Sequence, residues 1–202
     1  MSLLNSFLDI LSQFAFAMIL AVFAENTIFT RALGTSTAMY ITKNKSDIFL
    51  FGTTMSIISV VCSILAYLTL PIYQGLPFKS AFMPLFYVFI ISIVYFVAII
   101  VASKSKKKSQ LKPIISMCAF NCAILGAIFL MVTEGGNIGY FIGFGLGTGI
   151  GFILATLILN VANNRLSVSN ISKSFKGTPI IFIYLGIISL AFYALVGHEL
   201  AF

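Results

Sequence analysis

Five stretches of this chain are apolar without interruption, at roughly residues 48–72, 81–102, 114–133, 138–162 and 178–197. A hydrocarbon core of about 30 Å takes about 20 helical residues, so each stretch is long enough to cross a bilayer. The segment from about residue 8 to 42 is different. It is too long for one simple helix, and Glu25, Asn26, Arg31 and the run Gly34-Thr35-Ser36 interrupt it, which predicts a single broken crossing. The alternative is a plain helix over residues 3–24 that ends at Glu25 and leads into a loop. A β-barrel would show polar and apolar residues alternating in stretches of about ten, and these runs are continuous and twice that length. The pattern therefore predicts an all-α polytopic membrane protein of six spans, one membrane domain over residues 1–202 with no soluble domain between spans.

Composition agrees with lipid as the solvent: 60% of residues are hydrophobic and 8% charged, and the mean hydropathy is +1.10. Such a chain cannot cover itself with a water-facing surface. Charge then orients the spans, because basic loops stay on the cytoplasmic side. With Arg31 set aside as intramembrane, Lys43, Lys45, Lys104, Lys106, Lys107, Lys108, Lys112, Arg165, Lys173 and Lys176 fall in the first, third and fifth loops, and Lys79 alone falls in the others. The alternation predicts both termini outside the cell, and it makes the net charge of +7 a matter of topology, not of nucleic-acid affinity. The Lys104–Lys108 run is also placed to touch anionic lipid headgroups or an acidic partner. The N-terminal segment lacks a basic n-region and carries Asp9 where a secretory signal would have Lys or Arg, so it is read as retained.

Candidate chemistry is sparse. Cys62, Cys118 and Cys122 all lie in apolar spans, which excludes a disulfide framework. The single His198 belongs to no zinc-spaced cluster, and no Ser/His/Asp set is present. Cys118 and Cys122 are spaced for one face of a helix, one turn apart, either as apolar fillers or as metal ligands. Gly139, Gly143, Gly147 and Gly151 recur every fourth residue, with Gly145 and Gly149 forming a second row, a spacing that lets another helix approach closely. Glu25 and Arg31 are ionisable groups at membrane depth, which tend to be paired and functional.

Two short segments stand out together: ENTIFTRALGTS from Glu25 and FNCAILG from Phe120, each with Asn beside an apolar run and Leu-Gly further on. They lie in the first span of each half. Interrupted helices at corresponding positions mark an inverted repeat with its site near the midplane, here with repeats at about residues 8–102 and 113–198. Asn26 and Asn121 are placed to bond the backbone groups that the breaks set free. With Pro113 taken as the edge of its span, Cys122 lies about 13 Å deep, and Ser36, counted from Lys43, lies about 10 Å deep, both at a rise of 1.5 Å per residue.

These residues carry a resemblance. Asn121-Cys122-Ala123-Ile124-Leu125-Gly126, with Lys112-Pro113-Ile114-Ile115 before it, resembles the core motif of the small six-helix subunits of Rnf and Na⁺-translocating NADH:quinone reductase (Nqr) complexes. The likeness continues through Gly143-Phe144-Gly145, Arg165–Asn170, Phe175-Lys176-Gly177 and Ile188–Phe192, and in the first half through Glu25-Asn26 and Leu33-Gly34. The short fifth loop and the Phe-Lys-Gly stretch resemble the RnfA/NqrE branch more than its RnfE/NqrD sister.

The resemblance implies a subunit of a redox-driven ion translocase in the bacterial cytoplasmic membrane, not catalytic alone. In such complexes two homologous six-helix subunits face each other in opposite orientations and hold a [2Fe-2S] cluster, with two cysteines from each. Electrons pass through it across the membrane, coupled to Na⁺ or H⁺ movement, between other redox subunits. Cys122 matches one ligand position; the other, two residues beyond Leu33-Gly34, is Ser36, with Cys118 as the alternative second thiol. Val97 stands where the family usually carries a glutamate. Three readings follow: a subunit that transfers electrons, a cluster-free scaffold or ion-path paralogue, and a stand-alone inverted-repeat transporter of ions or small solutes.

Overall fold

In lipid the backbone finds no outside hydrogen-bond partner, so apolar runs fold as helices that satisfy themselves. The computed structural model describes residues 2–42, 45–75, 79–104, 108–168 and 170–196, all helix, turn or short connection. The helices are α1 (Ser2–Val22), α2 (Thr27–Arg31), α3 (Thr35–Ile41), α4 (Lys45–Gln74), α5 (Lys79–Ser103), α6 (Lys108–Ala119), α7 (Cys122–Glu134), α8 (Ile138–Val168) and α9 (Thr178–Val196). By length and apolarity α1, α4, α5 and α8 each suffice for a crossing, α6 and α7 form a fifth bent by 44°, and Thr178–Ala194 of α9 is a shorter apolar helix. His198, Lys43, Lys106 and Lys107 lie outside the described residues.

Length alone would make α1 a complete span, but its packing on α8 says otherwise. The two helices run parallel, with Gly139 against the Ile10 carbonyl, Gly143 against Phe14, Gly147 against Met18 and Gly151 against Ala21 and Val22. The C-terminal end of α1 is thus level with the middle of α8. Further along, the Asn160 side chain donates to the Thr42 carbonyl just after α3. From Gly139 to Asn160 is about 32 Å at the helical rise, the thickness of a hydrocarbon core. Segments α1, α2 and α3 together therefore make the one broken crossing that the sequence predicts. The first turns of α1 reach beyond the start of α8, where Asp9 accepts from the Asn137 side chain and Gln13 accepts from the Asn137 backbone N–H.

The second glycine row faces a different partner. Gly145 lies on Ser59 and Ser63 of α4, Gly149 lies on Ser56, and Ile153 fills the space over Gly52, so α4 and α8 run antiparallel at close range. Without a hydrophobic drive between helices in lipid, such backbone approach is the main source of association. The partners exchange between halves: α8 packs on α1, α4 packs on α6 and α7, α5 packs on α6 and α7, and α9 packs on α2. The two halves of the chain are thus packed into one another and do not lie side by side as separate bodies.

Two boundaries differ from the sequence reading. Helix α6 starts at Lys108, so Pro113 lies inside the helix and not at its start. Helix α8 continues to Val168 through residues expected as linker. Arg165 sits in its last turn, where a cation complements the negative end of the helix dipole.

Candidate functional site

The first break is built around Asn26. It caps α2, its Oδ1 accepting from the N–H groups of Ile28 at 3.1 Å and Phe29 at 3.4 Å. Its Nδ2 donates to the Val22 carbonyl at 2.9 Å and to the Gly151 carbonyl of α8 at 3.1 Å. One buried amide thus satisfies groups on both sides of the break and ties them to the other half. Asn26→Ala removes the cap and leaves a buried carbonyl unpaired; we expect a loss of about 2–3 kcal/mol, read as a lower unfolding midpoint in detergent.

The chain then turns again between α2 and α3. Gly34 has φ +80°, in the left-handed region, and a Cβ there would lie 2.8 Å from Asn121 Oδ1 and 3.1 Å from Ala123 Cβ. Only glycine meets both demands, because it lacks the Cβ that the turn and the neighbour each forbid. Leu33 lies over Gly126, so the Leu33-Gly34 turn is seated against Asn121, Ala123 and Gly126 of the other half.

The second break lies at Phe120 and Asn121. Asn121 caps α7 through Oδ1, which accepts from the Ala123 N–H at 2.9 Å. Its Nδ2 is buried without a hydrogen-bond partner. The two breaks meet directly, since the Gly34 N–H donates to Cys122 Sγ at 3.0 Å. This contact places the Ser36 and Cys122 segments at one depth, as the residue count from the span edges predicts.

The cysteines do not share a face. Cys122 opens α7 and is exposed, whereas Cys118 is fully buried, its Sγ directed to the Phe51 carbonyl of α4 at 3.6 Å. The expectation of one helical face is corrected: the helix ends at Ala119, and the bend of 44° separates the two side chains. Ser36, by contrast, is exposed in the first turn of α3, two residues from Gly34.

Glu25 and Arg31 pair with each other across the first break, Nη2 to Oε2 at 3.1 Å. They line a pocket of about 300 Å³ with Phe29, Thr30, Ser189 and Tyr193, and the Phe29 ring stacks on Phe192 of α9 at 4.6 Å. Arg31 is 46% exposed and Glu25 22%, so the pair is reachable and not sealed in the core. Asn160 was not singled out in the sequence, although a lone Asn late in an apolar span signals a backbone partner of this kind.

The family model described as "Rnf-Nqr subunit, membrane protein" matches residues 14–198, which takes in both breaks and every element from the second half of α1 onward. The chain belongs to the Rnf-Nqr family. It is accordingly a multi-pass membrane protein. Among curated relatives, a subunit of the ion-translocating oxidoreductase complex of Shewanella piezotolerans is 25% identical over 190 residues, covering 93% of this chain and 98% of its own length. The protein of the same name from Aromatoleum aromaticum is 26% identical over 188 residues, covering 92% and 97%. That from Aliivibrio fischeri is 25% identical over 189 residues, covering 93% and 98%. Within the Rnf-Nqr frame Val97 contributes an apolar, exposed side chain to a groove on the outer face of α4 and α5.

Proposed function

We propose that this chain is a membrane subunit of an ion-translocating oxidoreductase complex, in which Cys122 provides a ligand to an iron–sulfur centre shared with a homologous, RnfE/NqrD-like subunit. The observation that carries the reading is the Gly34 N–H donated to Cys122 Sγ at 3.0 Å, where the two interrupted spans meet. Hydrogen bonds to the ligating sulfurs are one of the ways a protein tunes such a centre. The sulfur is exposed, as a ligand shared across an interface between subunits must be. The family match and the names of the relatives support the coarser part of this reading, a membrane subunit of an ion-translocating oxidoreductase complex, and the iron–sulfur part rests on the resemblance.

The donors this chain offers by the Gly34 turn are the exposed thiol of Cys122, which accepts from the Gly34 N–H, and the exposed hydroxyl of Ser36, two residues beyond Gly34. Cys118 does not join them, because its sulfur is buried against α4. Thiolates normally hold these clusters. A centre held here takes a single sulfur from this subunit, with Ser36 as an oxygen ligand in the other position; when bound, it supplies one-electron transfer across the midplane. The remaining residues act structurally: Asn26 and Asn121 fix the breaks, and Gly34 and Gly126 let them interlock. Iron and acid-labile sulfide in the purified complex test the reading. Stoichiometric amounts that disappear in Cys122→Ala support it. A second reading, a cluster-free scaffold or ion path, is favoured by Ser36 itself and gains if active complex contains no iron associated with this chain.

We further propose the bacterial cytoplasmic membrane, with the basic ends of the helices inside. Reporter fusions after residues 45, 107 and 170 should read cytoplasmic, and fusions after 76, 135 and 202 external. An external signal at 107 contradicts this orientation.

A further inference from the structure

Away from the breaks, a groove of about 490 Å³ lies between α4, α5 and α6. One wall runs from Thr54 to Leu65 along α4, the other from Ile93 to Ala102 along α5, and Leu111 and Ile115 of α6 close one end. Thr54 is its only polar lining residue, and that hydroxyl donates to the Leu50 carbonyl of its own helix at 2.8 Å. The groove thus offers nothing to a ligand that needs a hydrogen bond, and its lining suits hydrocarbon.

Its depth and its mouth identify which hydrocarbon. Along α5 the groove runs from Ile93 to Ala102, about 14 Å at the helical rise, or half of a bilayer core of about 30 Å. The inner end, at Ile93, lies two residues from Tyr95, whose ring meets Phe120 at the second break at 5.0 Å. A partner helix would need a groove through the full thickness; this one serves a single leaflet. The other end lies toward the C-terminal end of α5 and the first turns of α6, and in the sequence Lys104, Lys106, Lys107, Lys108 and Lys112 fall within nine residues there. Lys104 and Lys112 are exposed next to the lining residues Ala102 and Leu111. Asp47 near the start of α4 is the one acidic residue at this end of the three helices.

We infer that the groove is a binding site for an anionic phospholipid, with one acyl chain between α4 and α5 and the headgroup phosphate held by Lys104 and Lys112. Each basic residue near a membrane surface contributes on the order of 1 kcal/mol to attraction of anionic lipid. The site does not depend on the redox reading, and its test does not use iron content or activity.

The complex is placed in nanodiscs of equal parts phosphatidylglycerol and phosphatidylcholine, and lipid is counted by mass spectrometry after mild extraction. Retained phosphatidylglycerol should exceed phosphatidylcholine, and Lys104→Gln with Lys112→Gln should lower that ratio by about fivefold per lysine. A ratio of one in the parent complex, or no change in the double variant, overturns the proposal. A photoreactive benzoylphenylalanine placed at Val97 gives a second readout in folded, assembled protein. Phospholipid adducts support the site, and adducts to another polypeptide overturn it by showing that a protein fills the groove.

Discussion

A chain carrying Gly147→Leu will fail to accumulate as folded protein, although the same replacement would be mild in most apolar helices. Even a single added methyl group at this position would lie 2.5 Å from the Met18 carbonyl and 2.9 Å from Ala21 Cβ, and the first of these is backbone, which cannot rotate away. Relief requires α1 to move off α8 along its length, and with it the neighbouring contacts at Gly143 and Gly151. Overfilling a packed contact costs about 1–3 kcal/mol where side chains can yield, and more where they cannot. Gly147→Ala should therefore already lower the unfolding midpoint. Gly186→Ala provides the contrast, because nothing lies within 4 Å of the added carbon in α9 and the helix gains about 1 kcal/mol in propensity. Equal stability of the two alanine variants in detergent would mean that the α1–α8 contact does not hold the fold.

Replacement of Cys122 by alanine has the opposite profile: intact protein, lost redox chemistry. The side chain is exposed, so no cavity forms, and the Gly34 N–H loses a partner at a cost of about 1 kcal/mol. Iron, acid-labile sulfide and electron transfer through the complex should all fall to background. Cys118→Ala should do the reverse, losing some stability from a fully buried position while leaving iron unchanged. Ser36→Cys should strengthen the cluster signal by restoring a second sulfur. If Cys122→Ala retains both iron and activity, the shared-centre reading fails and the scaffold reading replaces it.

The spans were legible because lipid imposes a simple rule on long apolar runs. The breaks were legible because Asn and Gly are the residues that satisfy or permit irregular backbone there, and Asn26 and Gly34 do so. The glycine rows announced close approach, but their spacing carries no partner identity; only the structure separates the row on α1 from the row on α4. What failed was a rule used across a discontinuity. Residues four apart share a face only while the helix lasts, and between Cys118 and Cys122 it stops. The direction of the Cys118 sulfur was therefore not written in its spacing. Helix length misleads in a similar way, since α1 contains enough apolar residues for a crossing and ends midway along α8.

The glycine seam between α1 and α8 also decides which parts of the molecule can move against each other. Inverted repeats are usually pictured as two bodies that rock about the site between them. Here the longest helix of the second half is joined to the first helix of the first half with its glycines directly against α1 carbonyls, which leaves little side chain at those points to absorb a displacement. The two form one strut. Any rearrangement of this chain must leave that strut intact and use other boundaries, such as the pocket between the Glu25–Arg31 turn and α9. The α1–α8 seam ties the two halves of the chain together, and a hinge sought at the midpoint of the sequence would be sought in the wrong place.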